Sequence, residues 1–151
     1  MKSTRVIALA LSLASVMYLT ACDDNNRGNS GVGGGGSTAN GAPAGFGART
    51  MNVTVNDGSA PFATSGSYVL TTTGTAGDTS GNYTISGSGS VPSTSGTYTY
   101  QRTATNSATL VLMDNNFGNV TDTLTFDNSN SGSIQSALGN GAFQSGTFTL
   151  Q

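Results

Sequence analysis

Three stretches of like shape set the architecture: Ser65-Gly66-Ser67-Tyr68-Val69-Leu70, Ser80-Gly81-Asn82-Tyr83-Thr84-Ile85 and Ser95-Gly96-Thr97-Tyr98-Thr99-Tyr100. Their aromatics Tyr68, Tyr83 and Tyr98 are spaced by 15 residues, and a fourth copy, Ser145-Gly146-Thr147-Phe148-Thr149-Leu150, lies at the C-terminal end. Each reads as a Ser-Gly turn releasing a strand whose aromatic and next-but-one apolar residue share a face. A 15-residue period is too short for the common solenoid repeats and suits successive strands of a meander.

The rest of the C-terminal part follows the same logic. Met51, Val53 and Val55 alternate before the turn signal Asn56-Asp57-Gly58. Ala108, Leu110 and Leu112 alternate, with Val111 adding a second apolar face. Val120, Leu124 and Phe126 alternate against Thr121, Thr123 and Thr125, and 114–119 reads as a hairpin loop. Around Ile134 the pattern weakens, and one helical turn is expected near Ser133 to Leu138. No 3.6-residue stripe appears, and Gly and Ser interrupt every candidate helix. Residues 50–151 are therefore expected to be all-β, an antiparallel meander of seven or eight strands forming a small sandwich or an up-and-down barrel.

Composition excludes much chemistry. The 151 residues contain no His and no Trp, one Cys, and seven acids that are all Asp. Without His the commonest general base and metal ligand is missing, and no Ser-His-Asp or Cys-His arrangement can be built. One Cys cannot supply a zinc-finger or ribbon spacing, so no metal and no cofactor is expected. Five basic residues, of which Lys2 and Arg5 are N-terminal, make no cationic track for nucleic acid.

The N-terminus carries a second message. Lys2 and Arg5 precede an apolar run from Val6 to Leu19, a length that suits a signal-peptide core better than a bilayer span. The run ends in Leu19-Thr20-Ala21-Cys22, which resembles the lipobox of bacterial lipoproteins position for position. The resemblance implies a signal peptide over 1–21, cleavage between Ala21 and Cys22, and diacylglyceryl and fatty-acyl groups such as palmitate on Cys22. A thiolate is the nucleophile that such lipid transfer needs. Two or three chains make a stable anchor where one is marginal. Asp23 and Asp24 resemble the signal that retains lipoproteins in the inner membrane of enteric bacteria; inner against outer membrane stays open. The chain is thus expected at the bacterial cell envelope, lipid-anchored through Cys22 and facing the periplasm or the outside.

Residues 22–49 are mostly Asn, Gly, Ser and Ala, with Gly33 to Gly36 unbroken, and are expected to be a flexible linker. A coil of this kind spanning residues 23–48 reaches about 25–30 Å. The segment from Gly96 to Leu150, with its GTYTY, ATLVL, TLTF and SGTFTL phrases, is similar to a type of exported bacterial protein without an assigned activity. That likeness implies β structure and export.

Few constellations suggest a site. By strand parity Arg102 joins Tyr98 and Tyr100, and Asp122 joins Val120 and Leu124, so both project toward an apolar face and could pair to orient a ligand. The plainer expectation is that each sits at a strand end and reaches water. Asp114-Asn115-Asn116-Phe117-Gly118 resembles a calcium loop only loosely, lacks the distal Glu, and reads as a polar hairpin turn. Asp122 and Asp127 lie five apart on one strand and point to opposite faces, which defeats a paired-carboxylate acid/base site. The expected role is a structural or binding module without catalysis and without a catalytic residue, its protein or small-molecule partner unread. The alternatives are a lipocalin-like carrier, needing a cavity above about 300 Å³ lined by Tyr68, Tyr83 and Leu110, and an enzyme working from Asp, Tyr, Arg, Ser and Thr.

Overall fold

The structure is a computed structural model that describes residues 41–151. The expected leader, the lipobox-like stretch with Cys22, Asp23 and Asp24, and the expected linker up to residue 40 lie outside the described residues.

Eight strands follow one another along the chain: β1 (Thr50–Gly58), β2 (Gly66–Thr72), β3 (Ser80–Gly89), β4 (Thr94–Ala104), β5 (Ser107–Asp114), β6 (Gly118–Asn128), β7 (Ser131–Leu138) and β8 (Phe143–Leu150). Every neighbour pairs antiparallel, and β8 returns to pair with β1, so the meander closes into an up-and-down barrel. Closure leaves no sheet edge exposed, which settles the choice between sandwich and barrel.

The alternation that marks the strands also divides inside from outside. Met51, Leu70, Tyr83, Tyr98, Leu110 and Leu124 point inward and are almost wholly buried. The outer surface is threonine-rich, with Thr54 opposite Thr147 and Thr109 opposite Thr123. Cross-strand β-branched pairs of this kind stabilise a pleated surface without exposing apolar area. Apolar inside and Thr outside is the reverse of a lipid-facing barrel wall.

The first Ser-Gly phrase does release its strand from a bend, with Ser65 in the bend and Gly66 opening β2 at a φ of 123°, but the others are not turns. Ser80-Gly81 opens β3, while Ser95-Gly96 and Ser145-Gly146 lie inside β4 and β8. Each glycine sits two residues before the aromatic and so shares its inward face. Gly96 pairs with Tyr83, and Gly81 pairs with Tyr98. A Cβ on Gly96 would run into the Met113 carbonyl oxygen and crowd the Tyr83 ring. Gly132 lies between Phe126 and Phe148, and a Cβ there would meet the Thr125 carbonyl. In the β3 and β4 copies one strand's glycine thus makes room for its neighbour's ring, whereas Gly66 lies opposite Gly89 and Gly146 opposite Val55 and Ile134; alternating small and large residues fill the taper of a narrow barrel.

Three other expectations are corrected. Asn56-Asp57-Gly58 belongs to β1, whose register against β8 shifts between Val55 and Asp57, and the chain turns only after it. Ser133 to Leu138 is strand, not helix: β7 is needed to close the sheet between β6 and β8, and its inward row of Gly132, Ile134 and Ser136 is too small and polar to show as alternation. Finally, 41–49, given to the flexible linker on composition, packs against the barrel. Ala42 and Phe46 are buried, and their amides donate to the carbonyls of Thr105 and Asp78.

Candidate functional site

The two ends of the barrel are finished differently. At one end, which carries the β2–β3, β4–β5 and β6–β7 connections, residues 41–49 form a strap. Phe46 is fully buried, stacks on Tyr100 at 5.2 Å between ring centroids, and meets the edge of Tyr98 at 6.4 Å. The Tyr100 hydroxyl donates to the Pro43 carbonyl at 2.8 Å. The Thr72 hydroxyl donates to the Phe46 carbonyl and accepts from the Arg49 amide at 3.0 Å. Asp78 supports this from the β2–β3 loop. Its carboxylate accepts from the Thr75 amide and hydroxyl at 2.8 and 3.0 Å, and its carbonyl receives the Phe46 amide. Those two bonds from Thr75 hold the Asp78 carboxyl below the usual carboxylate range.

At the opposite end, which we call the mouth and which carries the β1–β2, β3–β4, β5–β6 and β7–β8 loops, residues of the first three of these loops help to line a cavity of about 40 Å³. That is room for a few water-sized groups and far below the volume of a drug-sized ligand site. Ile85, Leu112 and Val120 form apolar wall, and Phe62 and Phe117, 5.4 Å apart between centroids, come from two of the loops.

Polar groups line the same space. Asp122 lies on β6, 1% exposed, between Leu110 on β5 and Ser136 on β7. Its Oδ1 has no hydrogen-bond partner. Burial is the main cause that pushes its carboxyl up to about 7; the Ser136 hydroxyl eases the rise and the nearby Asp114 charge adds to it. Tyr68, across the barrel on β2, also lines the cavity, and burial first, then the Asp122 charge, raises its phenol far above the ordinary value.

Asp114 closes β5 at the rim and is fully provided for. It accepts from the Tyr83 hydroxyl, the Thr94 hydroxyl at 3.0 Å, and the amides of Asn116 and Phe117 at 2.8 and 3.0 Å. The polar hairpin turn expected at 114–118 is therefore present. Its aspartate also ties that turn to β3 and β4 and seats Phe117 over the cavity. The sequence pattern shows the turn alone, because the tie depends on cross-strand neighbours.

Arg102 and Asp122 are not brought together. Arg102 is exposed at the strap end, where its guanidinium donates to the carbonyls of Ala104 and Thr105 at 3.1 and 3.3 Å, while Asp122 lines the mouth cavity. The strand-end expectation holds for Arg102 and fails for Asp122, which is interior as its parity indicates. Asp127 is exposed on the outer face, so no carboxylate pair forms with Asp122. Among the described residues no three Cys, His, Asp or Glu side chains gather to hold a metal. No protein-family model, curated protein or solved structure matches the chain.

Proposed function

We propose that the chain is a lipid-anchored binding module of the bacterial cell envelope, exported, tethered through Cys22, and non-catalytic. One observation carries the binding half: an eight-stranded barrel packed shut with Phe46 at one end and left, at the other, with a cavity around a buried, incompletely bonded carboxylate. Unpaired buried polar atoms occur at both ends, Tyr98 Oη and Arg49 Nε at the strap and Asp122 Oδ1 at the mouth, but it is the carboxylate that lines the cavity, and an unpaired buried carboxylate oxygen costs stability that an apolar residue of like size would not. The lipocalin-like carrier is kept only in a reduced form, since a cavity of about 40 Å³ takes the end of a small molecule and not its bulk. The absence of His and Glu from the sequence, with Lys only at position 2, supports binding over catalysis.

The anchoring half rests on Leu19-Thr20-Ala21-Cys22. Expression in a bacterial host with and without Cys22→Ser tests it. The parent chain is expected in the membrane fraction with a mass that fits cleavage before Cys22 plus acyl groups. The variant is expected to lose both the lipid and the partitioning. Equal fractionation of the two chains, with neither carrying lipid, would remove the anchor from the account.

A further inference from the structure

We propose that the mouth cavity is a site for the head group of a small primary alkylammonium ion, with Asp122 as its counter-ion and Phe62 and Phe117 flanking its alkyl part. The proposal rests on the binding-module reading and names the ligand class for the same cavity.

Three observations converge on a cation. The first is the carboxylate itself: Asp122 lines the cavity, is almost wholly buried, and keeps Oδ1 without a donor. A buried carboxylate is tolerated when a cation or several donors face it. The second is charge distribution. Of the described acids, Asp57, Asp114 and Asp122 lie toward the mouth, whereas the described cations, Arg49 and Arg102, both lie toward the strap end. Among the described residues, no side chain at the mouth can supply the missing positive charge. The third is the wall. Ile85, Leu112 and Val120 suit hydrocarbon, and the paired rings of Phe62 and Phe117 offer π faces that attract an ammonium or its adjacent methylenes.

Size and donor set narrow the class. A cavity of about 40 Å³ admits an ammonium and one or two carbons, with any further chain directed out past the loops. A calcium or magnesium ion asks for six or more oxygens. Here the Asp114 carboxylate is already taken by Tyr83, Thr94 and the turn amides, which leaves Asp122 with the hydroxyls of Ser136 and Tyr68 and the amide of Gln144. An ammonium has three donors and no acceptor, which fits one carboxylate plus neutral oxygens.

The groups facing Asp122 are Asp114 from β5, Tyr68 from β2 and Tyr83 from β3, and burial pushes both phenols up so that they stay neutral below pH 9. Affinity is therefore expected to rise from pH 6 to pH 8.5 as Asp122 loses its proton.

The test is titration of the full chain, labelled with nitrogen-15, with n-butylammonium chloride, n-butanol, sodium butyrate and calcium chloride, read at the amides of Ala63, Val91 and Phe117. Butylammonium is expected to shift these amides saturably, to bind at least tenfold more tightly than n-butanol, and to lose at least tenfold in affinity in Asp122→Asn. Phe117→Ala keeps the carboxylate and is expected to weaken butylammonium while sparing methylammonium. Equal response to butylammonium and n-butanol, unchanged by Asp122→Asn, would leave a binding cavity and overturn the cation. Saturation by calcium with no effect of butylammonium overturns it in favour of a metal. No response to any of the four probes removes both the ammonium site and the binding reading beneath it.

Discussion

Phe46 fills the strap end of the barrel between Tyr98 and Tyr100, whereas at the mouth the corresponding interior is left to Asp122, Tyr68 and Ser136 around a cavity. Both ends are capped by chain that is not strand, and both use hydrogen bonds from side chain to backbone to fix that chain. The strap end converts those bonds into apolar burial. The mouth converts them, through Asp114 and its turn, into a rim that stands around an unpaired charge. The aromatic plug and the buried carboxylate are thus separated along the barrel axis. The strap end also keeps Tyr98 Oη and Arg49 Nε without partners, but the unpaired carboxylate sits at the mouth, where it lines the cavity.

Removing the plug should cost the most. Phe46→Ala opens a cavity against Tyr98 and Tyr100, and truncations of fully buried aromatics cost about 3–5 kcal/mol. Chemical denaturation should show that loss while butylammonium shifts at the mouth persist wherever the protein is folded. If the variant keeps its stability, the strap is an ornament and the contrast between the ends collapses.

Asp122 should act in the opposite direction. Its folded pKa of about 7 stands above the ordinary value of 3.8, so between those values the folded state holds a proton that the unfolded chain has released. Stability then falls as pH rises from 4 to 7 and levels off above; a tenfold difference in proton affinity is worth about 1.4 kcal/mol. Asp122→Asn, neutral and nearly isosteric, should remove this slope and gain about 2–4 kcal/mol at pH 8. Asp78 carries the reverse sign, since its lowered pKa adds stability above the unfolded value that is lost as pH falls further. Denaturation midpoints of the two chains from pH 3 to pH 9 test both statements. Parallel profiles would mean that the Asp122 charge is met by something other than a ligand.

The barrel wall is legible in the sequence and its two ends are less so, for physical reasons. Tyr68, Tyr83 and Tyr98 announce strands because side chains of period two must share a face, and nothing tertiary overrides that in a Thr-rich chain. The role of Gly81 and Gly96 is hidden because glycine serves turns and close packing alike; only the cross-strand register reveals which neighbour needs the space. Ser131–Leu138 is obscured because Gly132 and Ser136 fill inward places without contributing hydrophobicity. The strap escapes notice because Ala42-Pro43-Ala44-Gly45-Phe46 has a linker's composition, and its single aromatic is the one available signal. Parity places Asp122 inside, but the general rule that charges seldom stay inside unpaired argues against it. At this position the rare case applies, and the departure from the rule is what marks the candidate site.

A subtler change concerns the joint between strap and wall. Thr72 on β2 serves the Phe46 carbonyl and the Arg49 amide with one buried hydroxyl. Thr72→Val keeps the shape and deletes both bonds, which should cost about 1–2 kcal/mol. Hydrogen exchange distinguishes where that cost falls. If the strap opens as its own unit, the amides of Ala42, Phe46 and Gly47, which donate to Thr105 and Asp78, should exchange faster while Phe117, whose amide is held by Asp114, stays unchanged. Equal acceleration at Phe117 would mean that the barrel opens as one body, and the two ends would then differ in chemistry but not in dynamics.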